Sequence, residues 1–331
     1  MRQDDLYLAG DIGGTKTVVG LFSTEQGPRE PVALETYPSD DHASLEAIVT
    51  LFTGKYPAAV RRASFGVAGP VMGRVARITN LPWVVNADSV SAALGGAEVN
   101  LLNDLEAIAN YVPNLSADEV LTLNTGSPVM HGAKAVIAPG TGLGEAFLVW
   151  HGGHYRAFPS EGGHTDFGPL DATQQALLAY LQPRLGHVSY EMVCSGMGLP
   201  NLYHFLKSQA GMEEPAWLAA LVAESSDPTR VIVTAAQKDD APALCRETMA
   251  LFVAILGAEA GNLALKVMAT GGVYVGGGIP PRIVPYLQQG GFMRAFLDKG
   301  RFGKLLETIP VYVILEPRAP LFGAASHVLG L

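Results

Sequence analysis

The sequence predicts an α/β protein of two lobes, and three observations carry that reading. Helix-prone and β-prone segments alternate through much of the chain. At 331 residues the chain is long for a single hydrophobic core. A strand, a glycine-rich turn and a second β-prone run also occur twice. The first set is Leu6 to Phe22, LYLAGDIGGTKTVVGLF. The second runs from Lys134 to Ala138 through Pro139-Gly140-Thr141-Gly142-Leu143-Gly144 into Ala146 to Trp150. Each reads as a hairpin, so both halves of the chain open on the same device.

Taken in order, the first hairpin is followed by a third strand, Val32 to Tyr37, and an amphipathic helix, Ala43 to Phe52. Arg62 to Ala68 returns as a strand ending in Gly69-Pro70, and Val75 to Thr79 is short and β-like, followed by Asn80-Leu81-Pro82-Trp83. Ser89 to Leu94 suits a helix capped by Asp88 and stopped by Gly95-Gly96. Val99 to Leu102 is a buried strand that delivers Asn103-Asp104 at its C-terminal end. The second half opens with strands Val120 to Leu123 and Lys134 to Ala138. It turns largely helical from Asp171 to about Leu265, with breaks at Gly186, Gly198 and Asp227-Pro228. Gly272 to Val275 is a strand ending in Gly276-Gly277-Gly278-Ile279-Pro280-Pro281, with the prolines opening the next helix. Val311 to Leu315 closes the strands and Leu321 to Leu329 forms a last apolar helix, expected on the first lobe. The expected lobes are 1–114 with 310–331, and 115–309.

Composition bounds the partners. A formal charge of −9 without any basic run argues against nucleic acid, because a phosphate-tracking surface needs clustered Lys and Arg. Two cysteines, Cys194 and Cys245, make no disulfide framework and no CxxC zinc pair, and fit a reducing cytoplasm. The N-terminus has two acids and no apolar core of a signal peptide. The most apolar stretch, Met249 to Leu265, is interrupted by Glu259 and Asn262 and reads as a core helix, not a membrane span.

Two common nucleotide motifs fail. Gly54-Lys55 is followed by Tyr56 and Gly303-Lys304 by Leu305, so no Walker A loop exists. A dinucleotide fingerprint needs GxGxxG between strand and helix, whereas both glycine loops here lead into strands. Three glycine turns remain, at Gly10 to Thr15, Gly140 to Gly144 and Gly276 to Gly278. Their N–H groups and the hydroxyls of Thr15 and Thr141 suit phosphate oxygens in a cleft, and the third turn would pass under a base or ribose. Plain chain reversal is the alternative for any one of them. Asp11 ends its strand where a phosphate-bound cation would sit. Asp104 ends a buried strand, where a carboxylate can take the proton of an attacking hydroxyl, or else merely caps a helix. Asn103 can hydrogen-bond a hydroxyl or that acid. Glu161-Gly162-Gly163-His164 and Glu191, near the expected start of a helix, place carboxylates and an imidazole where they can hold sugar hydroxyls. No HExxH or cysteine partner supports zinc on His164 and His187.

Six segments in order, LAGDIGGTKTVVGLF, LLNDLEAIAN, APGTGLGEAFL, FPSEGGHTDFGP, GHVSYEMVCSG and GGVYVGGGIPPR, resemble the bacterial glucokinases across essentially the whole chain. The resemblance implies the two-lobed, ribonuclease-H-like fold of the hexokinase and actin superfamily, ATP and Mg2+ as cosubstrate and metal, glucose as acceptor, and a homodimer. It assigns Asp104 as the base on the sugar 6-hydroxyl and Asn103, Glu161, His164 and Glu191 as sugar ligands. Gly10, Asp11, Ile12, Gly13, Gly14 and Thr15 match the first phosphate loop, with Asp11 near the magnesium. Thr141 and Gly142 match the second loop, and Gly276, Gly277 and Gly278 the adenosine-side turn. The zinc-bearing sugar kinases and repressors share DIGGTK, with Lys16 like theirs, but their CxCGxxGCxE cluster is absent and no DNA-binding segment precedes Leu6. A broad hexokinase and a non-catalytic sugar sensor are the alternatives on the same fold. Glu145 stands where a small or apolar residue is expected, and has to point away from the phosphates or pair with a base such as Lys16.

Overall fold

The computed structural model describes residues 6–78, 81–209 and 211–331. In chain order the elements are β1 (Leu6–Ile12), β2 (Lys16–Ser23), β3 (Ala33–Pro38), α1 (Leu45–Lys55), β4 (Val60–Val67), β5 (Val71–Met72), β6 (Val75–Arg77), β7 (Val84–Asn86), α2 (Ala87–Ala93), β8 (Glu98–Asn103) and α3 (Asp104–Tyr111). They continue with β9 (Val120–Asn124), β10 (Lys134–Pro139), β11 (Leu143–His151), β12 (His154–Ser160), α4 (Ala172–Leu185), α5 (Leu199–Gln209), α6 (Ala216–Glu224), α7 (Pro228–Ala236) and α8 (Ala243–Val267). The chain ends with β13 (Gly272–Val275), α9 (Val284–Leu287), α10 (Gly291–Leu297), α11 (Gly303–Glu307), β14 (Val311–Ile314) and α12 (Ala319–Leu329). It divides into two units, one of 1–119, 148–159 and 316–331, the other of 120–147 and 160–315.

The first unit is built on a five-stranded sheet in the order β3-β2-β1-β4-β8. β1 pairs antiparallel with β2 and parallel with β4, and is buried along most of its length, which suits its unbroken apolar run. β3 lies at the edge and alternates half-buried with exposed residues. α1 buries Leu45, Ile48, Val49 and Phe52, one face of a helix, and the Ser44 hydroxyl accepts from the Ala47 N–H to cap it. α12 packs on α3 and the sheet. It comes so close that a Cβ on Gly323 would overlap the Ala107 carbonyl, so glycine is required by the approach of two backbones.

The second unit holds most of a six-stranded sheet, β12-β11-β10-β13-β14-β9. Counted from β10, its first five strands repeat the order of the first sheet, third-second-first-fourth-fifth, which is the ribonuclease-H-like pattern. β14 belongs here because it pairs parallel with β13 and antiparallel with β9. The core centres on α8, against which α10 and α5 pack. Glycines four apart, Gly257 and Gly261, let the backbone at Phe292 and Phe296 of α10 approach α8 where side chains would collide. α8 spans 25 residues and is apolar enough by length and composition to cross a bilayer, longer than the interrupted stretch suggested. Its most apolar window is 72% buried inside the protein, as a core helix should be.

Several local expectations are corrected. α2 starts at Ala87 and is capped by the Asn86 side chain, which accepts from the Asp88 N–H, so Asp88 is a first-turn acid and not the cap. Pro280 and Pro281 open a 3-10 turn, Pro280–Arg282, before α9 begins. Strands β5, β7 and β12 were not expected, and β5 to β7 form a three-stranded sheet of their own. The β-like segment ends at Arg77, while Thr79 and Asn80 lie outside the described residues.

Candidate functional site

The first unit brings two of the expected segments, Gly10 to Thr15 and Asn103-Asp104, to the C-terminal ends of its parallel strands β1 and β8. Asn103 ends β8 and caps α3, its Oδ1 accepting from the Glu106 N–H at 2.6 Å. Asp104 is therefore the first residue of α3 and not its cap; its Oδ1 accepts from the Leu105 N–H at 3.0 Å. The side chain sits at the helix N-terminus, where exposed N–H groups favour negative charge. Asp11, half-buried near the end of β1, has its carboxyl pushed up to about 6 by burial, with the Asp104 charge adding to the rise and Lys16 opposing it. Two neighbouring acids in partly desolvated surroundings are a place that a divalent cation would stabilise. Among the described residues no group of three or more His, Cys, Asp or Glu is arranged as a cage. A metal here would take its remaining ligands from phosphate and water.

The first glycine segment divides by position. Gly10, Asp11 and Ile12 are strand residues paired to β2 and β4, and Ile12 is fully buried. A Cβ on Gly10 would lie 2.6 Å from the Phe65 ring, so packing accounts for that glycine. The Gly13 N–H is taken by the Lys16 carbonyl at 3.0 Å, and Ser39 closes the base of the turn by donating its hydroxyl to the Gly13 carbonyl. Gly13 and Gly14 are partly open and Thr15 is exposed, so the tip of the turn is the part a ligand can touch.

The second unit brings Glu161, His164 and Glu191 together. His164 Nε2 lies 3.8 Å from Glu161 Oε2 and its Nδ1 3.8 Å from Glu191 Oε1. The 3-10 turn Gly162–His164 makes this possible, and the Glu191 N–H donates to the Gly163 carbonyl at 2.8 Å to hold the segments in register. Glu161 and His164 side chains are largely exposed, whereas Glu191 is nearly buried. Glu191 sits in an irregular turn well before α5 begins at Leu199, contrary to the helix start expected there. Its Oε2 accepts from the Leu143 N–H at 3.0 Å, tying this cluster to the second glycine loop. A Cβ on Gly142 would overlap that same oxygen.

Thr141 is exposed on this loop, and its carbonyl and that of Gly140 accept from Met197 and Gly196. The third turn is anchored by the Gly276 N–H on the Ile137 carbonyl. Gly277 has φ +88°, and a Cβ there would lie 2.6 Å from the Pro139 carbonyl oxygen. Gly276 is buried and Gly278 exposed. Gly140, Thr141 and Gly278 line a cavity of about 500 Å³. Its remaining wall, including Met197, Pro200, Asp227, Thr229 and Arg282, escaped the sequence reading because no motif marks it. In the sequence, Asp227-Pro228 shows only as a break between helices. Asp227 accepts from the Arg230 N–H, and the Thr229 hydroxyl donates to the Gly196 carbonyl.

Comparison with known proteins places the chain in a family. The glucokinase family model matches residues 8–330. A glucokinase of Nostoc punctiforme is 39% identical, covering 97% of this chain and 98% of its own, and one of Chromobacterium violaceum is 37% identical, covering 97% and 88%. Among solved structures, a glucokinase from an Antarctic psychrotroph matches with TM-score 0.83 and 29% identity over 99% of this chain and 100% of its own. A Balamuthia mandrillaris glucokinase solved in complex with glucose matches in fold, with TM-score 0.76 at 22% identity over 99% of this chain and 94% of its own.

Proposed function

The chain belongs to the glucokinase family, an enzyme family that phosphorylates glucose with ATP, and we propose that it does so with Asp104 as the base on the sugar 6-hydroxyl. The observation that carries the reading is the convergence of Glu161, His164 and Glu191, with Glu191 also gripping the Leu143 N–H of the second glycine loop. A sugar held by these side chains is thereby coupled to the segment proposed to hold phosphate.

In this reading Asn103, Glu161, His164 and Glu191 fix the sugar hydroxyls. Carboxylates accept from hydroxyls through charge-assisted bonds, which orient the ring as well as bind it. Asp104 accepts the 6-hydroxyl proton as the oxygen attacks the γ-phosphorus, the leaving oxygen departing with ADP. N–H groups at the tip of the first turn, Gly14 and Thr15, and the Thr141-Gly142 segment oppose the charge on the phosphates. The adenosine end suits the cavity bounded by Gly278, Asp227 and Arg282. Asp11 is the residue that would hold Mg2+, which when bound neutralises phosphate charge. We further propose a cytoplasmic homodimer, as the family resemblance implies. Coupled ADP release on adding glucose and ATP tests the activity. No glucose-dependent ADP release from the folded protein would overturn it.

A further inference from the structure

Glu145 on β11 follows the second glycine loop, and the proposed chemistry does not use it. It points into the core of the second unit and is 1% exposed. No N–H or O–H donor reaches its Oε1. Its Oε2 lies so close to Gly162 that any Cβ there would overlap it. A buried carboxylate without a donor is costly, because its charge loses water and gains nothing.

What it meets instead is a second carboxyl, that of Glu259 on α8, which is fully buried. Glu259 is already supplied with donors. Lys266 Nζ lies 3.1 Å from its Oε1, and Asn262 Nδ2 donates to its Oε2 at 2.8 Å. Two carboxyls in hydrogen-bond contact need a proton between them, since an ionised pair has nothing to donate. Lys266 and Asn262 stabilise charge on Glu259, so the proton resides on Glu145. The charges then close, with Lys266 balancing Glu259 and Glu145 neutral. Other groups facing the pair do not upset this. The Tyr190 hydroxyl accepts from Asn262 at 2.9 Å, and burial pushes the neighbouring Cys194 thiol up, keeping it neutral. Lys299 also feels Glu259, but burial weighs against its charge. Burial and the Glu259 charge together push the Glu145 carboxyl up to about 8.

We propose that Glu145 is a positioning residue for sugar binding: as a neutral acid it hydrogen-bonds Glu259 and packs against Gly162, fixing Glu161 and His164 in the same turn. Once ionised, it repels Glu259 and loosens that turn. This role rests on reading the turn as part of the sugar site. Glu145 Oε2 lies against Gly162, in the turn that carries Glu161 and His164, so the effect is expected on glucose more than on ATP.

The test compares wild type with Glu145→Gln and Glu145→Ala, measuring kcat and both KM values across about pH 6 to 9. The wild-type KM for glucose is expected to rise about tenfold between about pH 7 and 9, with little change in the KM for ATP. Glu145→Gln, a neutral isostere that still donates to Glu259, should keep the low-pH glucose KM to within about twofold and hold it flat. Glu145→Ala should weaken glucose at every pH. Thermal unfolding of the sugar-free protein supplies a second readout: stability should fall with rising pH in wild type but not in Glu145→Gln. A flat wild-type glucose KM overturns the proposal, as does Glu145→Gln weakening glucose at neutral pH as much as alanine does. Flat melting profiles with intact glucose turnover sink the shared proton alone. Absence of glucose binding and turnover at any pH sinks the sugar reading, and this role with it.

Discussion

In the proposed mechanism, Asp104 is the residue whose loss should separate chemistry from binding. It opens α3, at an end where the helix itself favours a negative charge. Asp104→Ala is expected to lower kcat by about 10²- to 10⁴-fold while calorimetry still detects glucose. Turnover near wild type would remove it from the mechanism. Glu161, the exposed acid proposed as a sugar ligand, differs. Glu161→Gln should raise the KM for glucose by about 10- to 100-fold, the loss of one charge-assisted hydrogen bond, with a smaller effect on kcat. Unchanged sugar affinity would reject that role. Residues of this kind are legible in sequence because the chemistry demands their types. Gly10 is less legible: a glycine beside a phosphate loop invites a ligand reading, yet the Phe65 ring explains it.

Among the elements, the helices report how firmly the scaffold holds these groups. α3 depends on α12 lying close, through Gly323 against the Ala107 carbonyl. Gly323→Ala should destabilise by about 1–3 kcal/mol through overpacking, read as a lower midpoint in chemical denaturation with unchanged slope. α7 is held by its Asp227 cap, whose residue also lines the cavity. Asp227→Ala should cost about 1 kcal/mol of stability and raise the KM for ATP more than that for glucose. The reverse pattern would exclude the cavity from the nucleotide site. Longer elements were legible, as the β1–β2 hairpin and the buried face of α1 attest. Strands β5 and β7 were not, since two or three residues hold no period to read. The Asn86 cap was missed because Asp88 stands close by and is an equally good capping type.

For the molecule as a whole, Glu145 links stability to pH at the alkaline end, while Asp11, raised to about 6, does so at lower pH with the same sign. The folded Glu145 carboxyl is raised from its ordinary value of 4.5 to about 8. Between those values the unfolded chain binds fewer protons than the folded one, so unfolding becomes easier as pH rises. The stabilisation is complete below 4.5 and lost through about 8. Glucose should add stability by mass action, about 2.7 kcal/mol at a hundredfold excess over Kd, read as a higher melting temperature, and by linkage should shift the loss of the Glu145 term to higher pH. No shift with glucose would contradict the sugar site.

By itself the sequence determined the two glycine hairpins, the strand that delivers Asn103 and Asp104, and the polar residues bunched at Glu161 to His164. These are local: hydrophobic period, turn chemistry and residue type act over a few neighbours and are written in order along the chain. Only the tertiary structure decided what Glu145 is for, which tip of the first turn is open, and which side chains wall the cavity. Glu145 and Glu259 are separated by most of the second unit's sequence, and their shared proton exists because folding removes water from both. Desolvation and pairing across such distances follow from the packed molecule, so no window of residues records them.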